Sequence, residues 1–128
     1  MIIASMHTRR YQTVVANDMN AIVVDTNKYG CGGQTGFKPQ ELLEAALAAC
    51  ANLTLRVVAE KQGIPVAGLT TTVALDSSNP GVTQFAVKIA MEGDMDDARR
   101  QQLLKSVRLC PVSKIFASPI SVVYSAPD

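Results

Sequence analysis

Cys31, Cys50 and Cys110 are the side chains of this chain with the most chemistry open to them. A thiolate is a nucleophile, a metal ligand and a redox centre. Three widely spaced cysteines do not resemble a secreted disulfide framework. His7 is the single histidine, which excludes a multi-histidine metal site within one chain and leaves no basis for a Cys–His nucleophile. Cys110 has the best local electrostatic seat. It stands two residues after Arg108 and directly before Pro111, at the expected start of a short helix, where backbone N–H groups and the helix dipole favour a thiolate. The same position also suits a core cysteine that merely caps. Cys50 lies in the middle of an apolar helix, where burial raises a thiol pKa and inert packing is the plain reading unless a cation lies nearby. Cys31, in a glycine-rich loop without a charged neighbour, reads as incidental.

The elements that must hold these thiols follow from composition and pattern. The chain has 128 residues, 48% hydrophobic and 18% charged, so one globular domain over residues 1–128 is expected. Aromatic residues make up 5% and Trp is absent, so Ala, Val, Leu and Ile must build the core. Twelve Lys and Arg stand against eleven Asp and Glu. That balance gives no footprint for nucleic acid or an anionic membrane. Met1-Ile2-Ile3 is too short for the apolar core of a signal peptide, and Arg9 and Arg10 follow it closely. The most apolar stretch, Leu42 to Ala59, contains Glu44, Asn52 and Arg56 and reads as a protein-covered helix rather than a membrane span. Cytoplasmic location is therefore expected.

Residues 2–15 alternate loosely and Ala21 to Val24 is apolar, with turn residues Asn17 to Asn20 between them; a hairpin is expected. Four glycines between Asn27 and Lys38 mark a loop, which lacks the Gly-Lys-Ser/Thr ending of a phosphate loop. Pro39 suits the first turn of a helix, and Gly63 and Pro65 stop it. This helix is apolar on almost every face up to Ala51. A domain this small cannot surround it, so a second copy of the chain is the expected cover. Leu69, Thr71, Val73 and Leu75 alternate, as do Phe85, Val87, Ile89 and Met91, around the turn residues Ser77 to Gly81; this predicts a second hairpin. Asp94 is a candidate N-cap for a helix carrying Leu103, Leu104 and Val107. A short helix after Cys110 and a last strand over Ile120, Val122 and Tyr124 complete the order β-β-α-β-β-α-β, an α+β fold with mostly antiparallel sheet.

Lys38-Pro39-Gln40-Glu41-Leu42-Leu43 running into Ala48-Ala49-Cys50, together with Cys110-Pro111-Val112-Ser113-Lys114 near the C-terminus, resembles the OsmC/Ohr family over nearly the whole chain. The resemblance implies an OsmC-like fold with a long buried central helix in an intertwined homodimer. It also implies thiol-dependent reduction of organic hydroperoxides, a part in the oxidative stress response, an external dithiol reductant, and no metal, haem or flavin. By position, Cys50 is then the peroxidatic thiol and Cys110 the resolving one. The family adds an Arg from the N-terminal strands, for which Arg9 and Arg10 stand in the right region, with Arg108 as a third candidate. Neighbouring strand residues point to opposite faces, so at most one of Arg9 and Arg10 is expected to aim at the site. Typical peroxidase members carry a Glu ten residues before the first Cys. Here that position is Gln40 and the carboxylate is Glu41, as in some divergent members. The departure keeps an alternative open, a divergent OsmC-like protein that binds a hydrophobic small molecule in its dimer cleft.

Overall fold

The structure is a computed structural model that describes residues 1–27 and 32–127; Cys31 lies outside the described residues. The chain divides into two compact units, residues 1–43 and 44–128.

In the first unit β1 (Ile3–Met6), β2 (Thr13–Ala16) and β3 (Ala21–Val24) form an antiparallel meander. The expected hairpin is thus three strands. Residues 7–12 do not continue β1 but turn, closed by Gln12 N–H donating to the Arg9 carbonyl at 2.9 Å and His7 N–H donating to the Gln12 carbonyl at 3.1 Å. No Gly, Pro or Asn announces this turn. After β3 the chain returns alongside it, with Asp25 N–H donating to the Phe37 carbonyl at 3.0 Å. Gly36 lies so close to β3 that a Cβ there would run into the Val23 carbonyl.

Asp25 is the polar centre of this unit. Its side chain is buried, and both carboxylate oxygens accept hydrogen bonds. Thr26 and Gly33 N–H groups donate to Oδ1 at 2.8 and 3.3 Å, and Thr35 N–H and the Gln12 amide donate to Oδ2, each at 3.3 Å. Burial pushes the carboxyl pKa up, but the Thr26, Gly33 and Thr35 N–H groups with Gln12 outweigh it and leave it below the ordinary value. A carboxyl depressed on folding stabilises the native state above its unfolded pKa of about 3.9, and that stability is lost as pH falls through the lower folded value. Asp25→Asn is therefore expected to be less stable than wild type at neutral pH. The difference should shrink as pH falls below about 4, read as urea midpoints across a pH series. Parallel midpoint curves at all pH values would remove Asp25 from the acid response.

Helix α1 spans Pro39–Lys61. Glu41 accepts from Lys38 N–H at 2.9 Å, one half of a capping box. The helix ends at Gly63, whose φ of +66° favours glycine. Ile64 N–H donates back to the Ala59 carbonyl at 2.9 Å, and Ile64 is buried in the core, the Schellman pattern. By length and hydropathy α1 is long and apolar enough to cross a membrane. Glu44, Asn52 and Arg56 along it, and a buried stripe of Leu47, Ala51, Leu55 and Ala59, suit a helix of a folded domain. The opposite side is open: Leu53 is 64% and Val57 48% exposed.

In the second unit β4 (Gly68–Asp76) pairs antiparallel with β5 (Gln84–Glu92). The register sets Leu69 opposite Met91, Thr71 opposite Ile89, Val73 opposite Val87 and Leu75 opposite Phe85. Both alternating sets thus share one face, as expected from the sequence. Glu44 accepts from Leu75 N–H at 2.7 Å and ties α1 to β4. Helix α2 (Asp97–Ser106) is capped by Asp96, which accepts from Arg99 N–H at 2.8 Å. The cap is two residues later than expected, because Gly93 (φ +153°) still turns the chain away from β5. Leu55, Ala59, Ile64, Met91 and Leu103 form the core. A 3₁₀ turn (Val107–Leu109) leads to α3 (Pro111–Ala117), with Cys110 at its cap and Pro111 in its first turn. The expected last strand is not formed. Ile120, Val122 and Tyr124 are exposed, and residues 118–127 have no strand pairing. A strand needs an edge to pair with, and within one chain this segment has found none.

Candidate functional site

Cys50 projects from the middle of α1, and Cys110 sits fully buried at the cap of α3. The structure brings the two together: the Cys110 thiol hydrogen-bonds the Cys50 sulfur. The Val112 N–H and the Thr54 side chain also bond to that sulfur. Burial pushes the Cys50 thiol up. The hydrogen bonds from Cys110, Val112 and Thr54 more than offset it and hold Cys50 below an ordinary thiol. Cys110 moves the other way. Burial and the hydrogen bond it gives to Cys50 raise it, the Ser113 and Val112 N–H groups oppose them, and the neighbouring Cys50 charge adds to the rise. The proton of the pair therefore stays on Cys110 and the thiolate forms on Cys50. This reverses the local sequence argument, which gave Cys110 the better seat. The helix terminus at Cys110 is real, but its Val112 N–H serves Cys50 as well, and Cys110 has lost its water.

An apolar cleft of about 390 Å³ is lined by Leu47, Ala51, Phe85, Val107, Ser113 and Phe116, among others; neither Cys50 nor Cys110 lines it. Phe85 and Phe116 stack with ring centroids 4.6 Å apart and planes 11° apart, an arrangement favoured for aromatic pairs. Ser113 serves both features: its N–H bonds Cys110, and the residue lines the cleft. The cleft suits an apolar molecule.

The remaining predicted residues are placed as follows. Arg9 and Arg10 lie in the β1–β2 turn rather than on a strand, and both line one cleft of about 320 Å³ with Gln12, Gly32, Gly33 and Thr35. The strand argument that only one of them could serve a site does not hold, because turn residues are free of strand alternation. Arg108, in the 3₁₀ turn, is not among the groups that shift either thiol. Glu41 is exposed and occupied with the helix cap, and Gln40 beside it is exposed at the same end. Two contributors went unpredicted. Thr54 stands four residues after Cys50, a spacing that stacks side chains on one helix face, and this spacing could have found it. The Val112 N–H carries no side-chain signal at all.

An α+β fold with a central helix, a long hairpin and a facing pair of free thiols defines a class of thiol-bearing proteins. Over residues 32–125 the chain matches the family model described as OsmC-like protein, and it belongs to that family. Peroxiredoxin OsmC of Escherichia coli (strain K12) is 30% identical over 99 residues, 72% of this chain and 68% of that protein. The solved OsmC-like protein of Mycoplasma pneumoniae shares the fold with a TM-score of 0.76 and 21% identity, covering 91% of this chain and 86% of that one. The organic hydroperoxide resistance protein OhrB of Bacillus subtilis superposes with a TM-score of 0.58 and 25% identity, covering 90% and 87%. The family thus includes proteins named as peroxidases and as hydroperoxide resistance proteins.

Proposed function

We propose that this protein is a cytoplasmic, homodimeric thiol peroxidase that reduces organic hydroperoxides through Cys50 and Cys110. The observation that carries the reading is the asymmetric thiol pair: a lowered Cys50 hydrogen-bonded by a raised Cys110. The Cys50 thiolate attacks the distal oxygen of the hydroperoxide. The O–O bond breaks, Cys50 becomes a sulfenic acid, and the alkoxide leaves and takes up a proton to give the alcohol. Cys110, once deprotonated, attacks the Cys50 sulfur. The S–S bond forms, and hydroxide leaves and is protonated to water. An external dithiol then returns both thiols by exchange. The apolar cleft, which shares Ser113 with the surroundings of Cys110, supports an organic rather than a small inorganic peroxide.

Arg9, Arg10 and Glu41 are proposed to assist as cation and carboxylate. An Arg stays charged and forks onto two oxygens. Glu41→Gln discriminates the roles of Glu41, because glutamine keeps an acceptor for the helix cap but carries no charge. Turnover is expected to fall at least tenfold with the thermal midpoint nearly unchanged, a tenfold loss being about 1.4 kcal/mol of transition-state stabilisation. Gln40→Ala should have little effect. A many-fold gain from Gln40→Glu would instead mark a degraded site.

Dithiol-dependent consumption of an alkyl hydroperoxide by the purified protein tests the whole reading. Consumption at catalytic protein concentration is expected. Binding of an apolar ligand without any consumption would replace it with the binding-protein alternative.

A further inference from the structure

We propose that Gln12 is the positioning residue for Arg9 and Arg10: its buried side-chain amide, anchored on Asp25 and Thr35, fixes the β1–β2 turn that carries both arginines into one cleft. The consequence for turnover rests on the reading that this arginine pair assists Cys50; the fixing of the turn does not.

The stretch from His7 to Gln12 contains no Gly, Pro, Asn or Asp, so no residue in it is preset for a turn. Two backbone bonds close it, and Gln12 makes both. Its N–H donates to the Arg9 carbonyl at 2.9 Å, and its carbonyl accepts from His7 N–H at 3.1 Å. The side chain then ties this closure to the rest of the unit. Nε2 donates to Asp25 Oδ2 at 3.3 Å and to Thr35 Oγ1 at 3.2 Å. Chemistry fixes which way the amide points, since an Oε1 turned to the carboxylate would set two acceptors face to face. Asp25 is held in its turn by the Thr26, Gly33 and Thr35 N–H groups.

Burial singles out the same residue. Thr8, Arg9, Arg10 and Tyr11 are exposed and His7 is half-buried, whereas Gln12 is 6% exposed. Gln12 alone roots the turn in the interior. A bonded amide there stabilises little beyond an apolar side chain of like volume; what it adds is direction. Arg9, Arg10, Gln12, Gly32, Gly33 and Thr35 line one cleft of about 320 Å³. Gln12, Gly33 and Thr35 are thus both the anchor of the turn and the wall of the cleft. Two adjacent guanidinium groups repel each other, and a turn pinned at its root limits how far its backbone can move to separate them.

The test is amide hydrogen exchange by NMR on the full-length protein. It follows His7 and Gln12, whose N–H groups close the turn, with the β2–β3 ladder amides as internal reference. Gln12→Leu keeps the volume and removes the donor. Gln12→Glu keeps the shape and sets a second carboxylate against Asp25. In both, the His7 and Gln12 amides are expected to exchange about tenfold faster or more, as for loss of a hydrogen bond to a charged acceptor, while the ladder amides stay within about twofold. Thr35→Val removes one acceptor and leaves the Asp25 bond. It should accelerate the same two amides about threefold, and it decides the matter where a Gln12 variant does not fold. Unchanged exchange at His7 and Gln12 would overturn the proposal. So would equal acceleration in turn and ladder, since Gln12 would then support the whole unit rather than this turn.

Turnover supplies the second readout. Gln12→Leu is expected to lower kcat/KM for an alkyl hydroperoxide about tenfold, and to have no further effect once Arg9→Gln and Arg10→Gln are both present, because a residue acting through the arginines then has nothing left to position. The same loss in both backgrounds would show Gln12 acting apart from the arginines and overturn the claim on turnover. If the wild type consumes no hydroperoxide, the peroxidase reading fails while exchange at the turn still decides the role of Gln12.

Discussion

Cys50→Ser is expected to reduce hydroperoxide consumption to background, the largest effect of any single substitution in this chain. A serine hydroxyl is not ionised near neutral pH and lacks the soft sulfur that attacks an O–O bond. Cys110 cannot take over, because burial and its neighbour hold its proton in place. Cys110→Ser behaves differently. Its hydroxyl still donates to Cys50, so the first oxidation proceeds, but no second sulfur condenses with the sulfenic acid. One equivalent of peroxide should be consumed, with a sulfenic acid trappable on Cys50 that excess peroxide drives to the sulfinic form. In the wild type, mass spectrometry after one equivalent of an organic hydroperoxide should find a Cys50–Cys110 bridge with Cys31 reduced. Oxidised Cys110 beside unmodified Cys50 would reverse the roles.

Leu53→Glu is expected to turn the proposed homodimer into a monomer or into insoluble chain. Ala46, Ala49, Leu53 and Val57 share one side of α1; Ala46, Ala49, Leu53 and Val57 are all exposed in the single chain. Small residues let a second helix backbone come close, and the larger two supply contact area. The segment carrying Ile120, Val122 and Tyr124 is likewise apolar, exposed and unpaired with any strand among the described residues, as a strand that completes a partner's sheet would be. A stable dimer of this kind should bury roughly 2,000 Å² or more in total. Ala49→Leu should also weaken it by overpacking, costing about 1–3 kcal/mol. Light scattering checks both variants against the wild type. A monodisperse wild-type monomer at micromolar concentration would exclude the dimer.

The sequence by itself determined the elements whose signals are local. Pro39 and Gly63 bracket α1 because each residue's own backbone limits start or stop a helix. The alternation of Leu69 to Leu75 and Phe85 to Met91 set the hairpin and its register, since side chains two apart must share a face. The two cysteine segments carried the family. Signals that depend on contact between distant residues were not legible. The β1–β2 turn around Arg9 and Arg10 lacks turn residues and is held by its hydrogen bonds. The last apolar alternation looked like a strand, yet a strand exists only with a partner edge. The cap of α2 fell on Asp96 rather than Asp94 because Gly93 sets where the chain leaves β5. Above all, the order of acidity of the two thiols was decided by tertiary structure alone. Local sequence placed Cys110 at a helix start, but only folding buries it and brings it and the Val112 N–H to the Cys50 sulfur. A thiol pKa is set by the sum of burial and donors at one point in space, and that point is assembled from residues some sixty positions apart.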